Sequence, residues 1–264
     1  MDAPHAAGAA MTLPAIFISH GPPSLELEQS VARDFLSRLG EALPRPEAIL
    51  CISAHWEGRH ARLGLAERPE TIHDFFGFPD ALYELRYPAP GAPDLARRAA
   101  ELLEAQGQTV VLDESYGLDH GAWSPLRLIY PAADLPVTQL SLLVEGGPAA
   151  HLAIGRALAP LRDEGVLVLG SGGATHNLAA WRRGGEAAPA WAQAFDDWLV
   201  ARVEAGAVED LVDYRRRAPE GPRNHPSEEH FLPLFVALGA AEGPGRVLHR
   251  SFQSTLSMAA FAFG

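Results

Sequence analysis

Five short apolar runs set the tightest limit on the fold. They are Ala15–Ser19, Ala48–Ser53, Thr109–Leu112, Val137–Leu142 and Val166–Gly170. Each is rich in leucine or β-branched residues and bounded by breakers, as a strand covered on both faces would be. Helical stretches fall between them. Leu95, Ala99, Leu102 and Leu103 share one helical face, with Pro93 before them and Gly107 after. Residues 148–162 and 189–205 read as further helices, and Pro160 is expected to end or bend the first. Alternating strands and helices predict an α/β fold: a single domain with a central mostly parallel or mixed sheet covered by helices, and an active site at strand carboxyl ends. No internal repeat or low-complexity linker divides the chain, and 264 residues suit one large domain. We expect residues 1–12 to be a disordered leader, with Met11 an alternative start, and 13–264 to form one catalytic domain. The arginine- and proline-rich stretch 206–226 reads as a long loop before the last helix.

Composition then narrows the chemistry. All 21 basic residues are arginine. That excludes a Schiff-base lysine, a pyridoxal-phosphate attachment and a P-loop lysine. Cys51 is the lone cysteine, so no intrachain disulfide is possible, which suits a reducing, cytoplasmic setting. A formal net charge of −12 argues against nucleic acid as a partner. No apolar run approaches membrane-spanning length, and the N-terminus lacks the pattern of an export signal. Histidine, at 11 copies, and carboxylate are left for most of the chemistry.

The histidines are placed accordingly. His20 follows AIFIS, His55 follows AILCISA, and His176 lies in the loop after VLVLG. Three imidazoles thus sit just past three predicted strand ends, where open parallel sheets build their ligand sites. Gly21 and Pro22–Pro23 turn the chain sharply and hold His20 at its tip. Trp56 is read as packing beside His55. In NHPSEEHFLPL, Ser227 reads as an N-cap, which puts His230 in the opening turn of a helix, where the dipole favours the neutral, metal-binding imidazole. His225 is the rival to His230. His120, in GLDHGAWSPL, is assigned to a loop after the strand at 109–112. The other histidines (His5, His60, His73, His151, His249) are left structural or solvated.

Several familiar motifs fail. GSGGATHNL lacks the third glycine of a dinucleotide fingerprint, since Thr175 stands there, and Leu169 rules out a hydrolase elbow around Ser171. The glycines at 170, 172 and 173 are instead expected to let backbone and substrate come close to His176. The stretch HDFFGFPDALYELRYP offers Phe75, Phe76, Phe78, Tyr83 and Tyr87 as pocket wall, lid or core, and Arg86 as a partner for a substrate carboxylate.

SHGPPS, SAHW, LDHGAWSPL, GSGGATHNL and NHPSEEHFLPL occur in the order they take in one family. Over about residues 13–258 the chain resembles the class III extradiol ring-cleaving dioxygenases. It is most similar to the DOPA-dioxygenase-type branch related to the catalytic subunit of protocatechuate 4,5-dioxygenase. The resemblance implies a non-haem enzyme that cleaves a catechol-type ring with O2, using Fe(II) for activity. It implies His20, His55 and His230 as metal ligands, with His230 where related subunits carry a glutamate, a change that favours Zn(II) as a competing occupant. His176 is implied as acid–base residue, with its place inside or beside the ligand set left open, and His120 as a second partner for substrate or oxygen. The implied partners are a small aromatic diol and O2, and the implied state is a monomer or small homo-oligomer. A zinc hydrolase on the same site and a non-catalytic scaffold are the alternatives.

Overall fold

Period-two alternation in the apolar runs decides how the sheet is covered. A computed structural model describes residues 12–185, 187–241 and 243–264. The expected leader and the alternative start at Met11 lie outside the described residues, Thr12 apart. In β1 (Ala15–Ser19), Ala15 and Phe17 face one apolar layer while Ile16 and Ile18 face the other. β2 (Ala48–Gly58) repeats this, with Leu50 and Ile52 on the first side and Ile49 and Cys51 on the second. The further strands are β3 (Ala61–Gly64), β4 (Val110–Asp113), β5 (Val137–Leu143), β6 (Val166–Gly172), β7 (Gly245–His249), β8 (Phe252–Gln253), β9 (Leu256–Ser257) and β10 (Ala260–Phe263). Val166 and Val168 of β6 face the first layer, and Leu167 and Leu169 the second.

Eight of these strands form one mixed sheet in the order β4-β3-β5-β2-β6-β1-β10-β7; β8 and β9 pair separately. Its centre is parallel, with β5, β2, β6 and β1 running the same way. Antiparallel pairings frame it: β3 against β5, and β10 between β1 and β7. The expected mixed α/β sheet is therefore present, with its parallel strands in the middle. Helices Pro93–Glu104, Gly147–Leu158, Ala190–Glu204 and Leu232–Ala240 cover one face. Helices Val31–Ala42 and His120–Ile129 cover the other. As the sequence suggests, the helix before Pro160 stops at Leu158 and continues as a 3-10 turn.

Three readings need correction. The stretch 206–226 is not a plain loop. It folds as three short helices, Val208–Val212, Tyr214–Arg217 and Gly221–Asn224, in which Arg217 pairs with Asp210 and Asp213 and Tyr214 is buried. His120 is not a loop residue either, but the first residue of the helix His120–Ile129. Asp119 caps that helix by accepting from the Ala122 N–H at 3.2 Å. Ser227 caps nothing. The last helix starts at Leu232, and the Ser227 hydroxyl turns instead to Glu229 Oε1 at 3.1 Å. No helix among the described residues is long and apolar enough to cross a membrane.

Candidate metal centre

Adjacent strand tips bring the histidines together. β1 pairs with β6 as far as Ser19 opposite Gly172, and the next residue, His20, is tied to the same strand by its N–H, 3.0 Å from the Gly172 carbonyl. On the other side of β6, pairing with β2 ends at Ser53 opposite Ser171. Between Ile52 and Glu57, β2 also loses register with β5, so the strand bulges where His55 lies. His230 comes from the turn before the helix Leu232–Ala240. Gly173 N–H donates to the His230 carbonyl at 2.8 Å. A Cβ at Gly172 would lie 2.1 Å from that same carbonyl, and one at Gly170 would lie 2.3 Å from the Pro233 carbonyl. Gly170 and Gly172 are therefore spent on seating the 230 turn against β6 rather than on room around His176, while a Cβ at Gly173 would come 3.7 Å from the His176 Cβ.

The result is a knot of imidazoles at the floor of a cleft of about 230 Å³. His20 Nε2 and His55 Nε2 are 3.1 Å apart. One nitrogen each from His20, His55 and His230 lies within 4.8 Å of the other two, a spacing that a single cation can bridge. The remaining nitrogens are held from outside. His20 Nδ1 is 3.0 Å from Ser171 Oγ, and His230 Nδ1 is 2.9 Å from Glu229 Oε1. Burial, with the neighbouring imidazoles adding to it, pulls His20 and His230 well below the usual histidine pKa. Burial first, then His120, brings His55 to about 3. All three are thus neutral lone-pair donors at pH 7, the form a divalent cation needs. The helix dipole expected to keep His230 neutral is not the cause, since that residue precedes the helix; burial does the work.

Two further imidazoles line the same cleft. His176 stacks on His230 with ring centroids 3.3 Å apart, and its backbone N–H donates to the Asn224 carbonyl at 2.9 Å. Burial lowers its pKa to about 4, against the opposing pull of Glu229. Among the described residues, His176 groups with Glu229 and His230, and not with His20 and His55. The His120 ring lies 3.9 Å from that of His55, centroid to centroid. Its backbone N–H donates to Asp74 Oδ1 at 2.9 Å, and its Nδ1 is the same distance from that oxygen. Asp119, buried beneath it, accepts from Ser53 Oγ at 2.6 Å, Gln139 Nε2 at 2.8 Å and Tyr116 Oη at 3.1 Å.

Other candidates sort plainly. Phe75, Phe76 and Phe78 line the cleft with Trp181 and Met258. Tyr87 is buried and donates to the Tyr130 carbonyl, while Tyr83 packs on Phe75. Trp56 stacks flat on Tyr116 at 4.0 Å, as packing. Arg86 does not line the cleft; its guanidinium is turned onto the Tyr83 and Leu85 carbonyls, and Arg182 is the arginine at the rim. His225, the rival to His230, is buried among Phe195, Tyr214 and Phe231 with Nε2 on the Ala174 carbonyl at 2.9 Å. Sequence reasoning missed Asp74, Glu229 and Ser171. Glu229 had a signal, being next to His230; Asp74 and Ser171 are made relevant only by the fold.

The comparisons with known proteins agree with this geometry. Residues 14–263 match the family model described as the catalytic LigB subunit of aromatic ring-opening dioxygenase. The chain is 44% identical to the 4,5-DOPA dioxygenase extradiol of Escherichia coli K12, over 88% of this chain and 86% of that one. It is 43% identical to the protein of that name from Beta vulgaris, over 89% and 90%. The crystal structure of an uncharacterized protein from Escherichia coli K12 superposes with a TM-score of 0.79 at 36% identity, covering 96% of this chain and 100% of that one. A match across nearly the whole chain, with relatives of this identity, makes it a member of the LigB family, an extradiol aromatic ring-opening dioxygenase.

Proposed function

We propose that the cleft binds a catechol-type diol over a divalent ion held by His20, His55 and His230, and that Fe(II) is the ion for activity. The observation that carries this is the convergence of three neutral imidazole nitrogens within 4.8 Å, with the outer nitrogens of two of them already engaged. When bound, the ion would lower the pKa of a catechol hydroxyl and leave open positions for dioxygen. Imidazole nitrogens bind Zn(II) more tightly than Fe(II), which is why Zn(II) is the competing occupant.

The chain's own groups supply the rest. His176 is neutral at pH 7 and sits beside the ligand set, so it is assigned to take the substrate's second proton and return one as the ring opens. His120, with Nδ1 against Asp74, presents its other nitrogen to the cleft as a hydrogen-bond partner for a substrate oxygen. Phe75, Phe78 and Trp181 give the diol's ring an apolar wall that also limits water. The names of the relatives put DOPA first among the diols to test. The lone, buried Cys51 accords with a cytoplasmic site of action, and residues 13–264 are taken as one catalytic unit.

Anaerobic reconstitution with Fe(II), followed by oxygen uptake across a panel of catechols, tests the proposal. Stoichiometric oxygen consumption with a yellow ring-opened product is expected. Hydrolytic turnover with Zn(II) and no oxygen consumption would replace it.

A further inference from the structure

We infer that Ser171 is a positioning residue that locks His20 into the tautomer able to bind the ion. The inference rests on the metal reading above but concerns a residue that reading does not use. Ser171 is buried at the end of β6, with two neighbours for its hydroxyl: the Gly121 carbonyl and His20 Nδ1 at 3.0 Å. A hydroxyl has one proton to give. The Gly121 carbonyl can only accept, so the hydroxyl donates its proton to it. Oγ therefore faces His20 as an acceptor, and Nδ1 must carry the hydrogen. That leaves the lone pair of His20 on Nε2, the nitrogen 3.1 Å from His55 Nε2 at the centre of the cluster.

The helix explains why Gly121 needs this proton. In an α-helix its carbonyl would accept from the N–H four residues on, and that residue is Pro125, which has none. The proline leaves an orphan acceptor, Ser171 fills it, and filling it fixes which way the serine proton points. Three separate stretches, SHG, HGAWSP and GSGG, are thus joined by one hydrogen-bond chain: Gly121 carbonyl, Ser171 hydroxyl, His20 ring. Gly121 itself has no room for a side chain, since a Cβ there would lie 2.4 Å from Ser53 Oγ and 2.9 Å from the His55 ring. The outer partner of a metal-binding histidine is commonly a carboxylate or a backbone carbonyl, and its loss weakens metal binding about 10- to 100-fold. Here a serine takes that place, with its direction set by a proline on another element.

Two measurements on the full-length protein test this. In the wild type labelled with 15N-histidine, the His20 ring, identified by its loss in His20→Gln, should report a protonated Nδ1 and a bare Nε2. In Ser171→Ala it should report a mixture. Zn(II) titration against a competing chelator, at a temperature where both proteins are folded, should show the affinity of Ser171→Ala lowered about 10- to 100-fold, with its unfolding temperature in chelator lowered by the few degrees that an orphaned Gly121 carbonyl costs. A wild-type His20 protonated on Nε2 overturns the inference without need of the variant, and so does a Ser171→Ala that binds Zn(II) as tightly as the wild type. A wild type that binds no divalent ion overturns the metal reading instead, while the nitrogen spectrum still decides the tautomer.

Discussion

Two nests of buried histidine lie close together in this molecule and are built to opposite ends. One is the cleft cluster of His20, His55 and His230. The other is His225, five residues before His230 in the chain. All four rings have their pKa lowered, chiefly by burial. Burial and a shifted pKa therefore do not separate the two nests. What separates them is where the ring nitrogens point. His225 directs Nε2 at the Ala174 carbonyl and packs its ring among Phe195, Tyr214 and Phe231. In the cleft, Ser171 and Glu229 hold the outer nitrogens of His20 and His230, and one nitrogen each from His20, His55 and His230 lies within 4.8 Å of the other two, with the Nε2 atoms of His20 and His55 3.1 Å apart. A buried imidazole that donates to the backbone belongs to the core; several whose nitrogens converge on a common centre can hold an ion.

The contrast breaks first on His55. Replacing it by alanine should remove one of three ligands and with it most of the bound metal. Turnover should fall by at least about 10³-fold, an activation-energy loss of roughly 4 kcal/mol. Metal analysis after reconstitution checks this, and full occupancy in His55→Ala would remove that residue from the ligand set. Next in size is His176→Ala. Because His176 stacks outside the His20–His55–His230 group, the variant should keep its metal and lose about 10²- to 10⁴-fold in turnover, the usual worth of a positioned acid–base group. Metal lost in parallel with activity would place His176 among the ligands.

How much of this was legible in the sequence follows from the range of each interaction. β1, β2, β5 and β6 were readable because strands covered on both faces are apolar along most of their length, although β5 also buries Thr138, Gln139 and Ser141. β10 was not, since its alternating Ala and Phe, between β1 and β7, carries no β-branched residue to mark it. The histidines stood out because a polar ring at the end of an apolar run has little reason to be there unless it is used. The helix at His120 was hidden by Pro125, which reads as a breaker until Ser171, 50 residues on, is seen to satisfy the carbonyl it orphans. Asp74 could not be found by spacing, because it is joined to His120 only through the packing of the 73–78 loop on the helix start. Local chemistry was visible in the chain, Glu229 beside His230 included; Ser171 and Asp74 were not, since each comes from a stretch remote from the histidine it holds.

The smallest effect sharpens the comparison from its structural side. Phenylalanine at 225 keeps an aromatic ring among Phe195, Tyr214 and Phe231 but removes the donor to the Ala174 carbonyl. Leaving that carbonyl without its partner should cost about 1–3 kcal/mol, with the metal content of the protein unchanged. The pH dependence gives an independent reading. Burial holds His225 near pKa 3 in the folded chain, against the ordinary histidine value of about 6.5. Between those values the unfolded chain takes up a proton that the folded one refuses, so stability falls as pH drops from about 6.5 toward 3. Each such site contributes a slope of up to about 1.4 kcal/mol per pH unit, and above pH 6.5 the contribution is flat. His225→Phe removes one of these protons. Denaturant midpoints at pH 7 and pH 5 should therefore show the variant weaker than the wild type at pH 7 and the gap between them narrowing at pH 5. A gap that stays constant would mean that His225 takes up its proton in the folded protein as readily as in the unfolded chain, and that its nest differs from the cleft in kind and not only in direction.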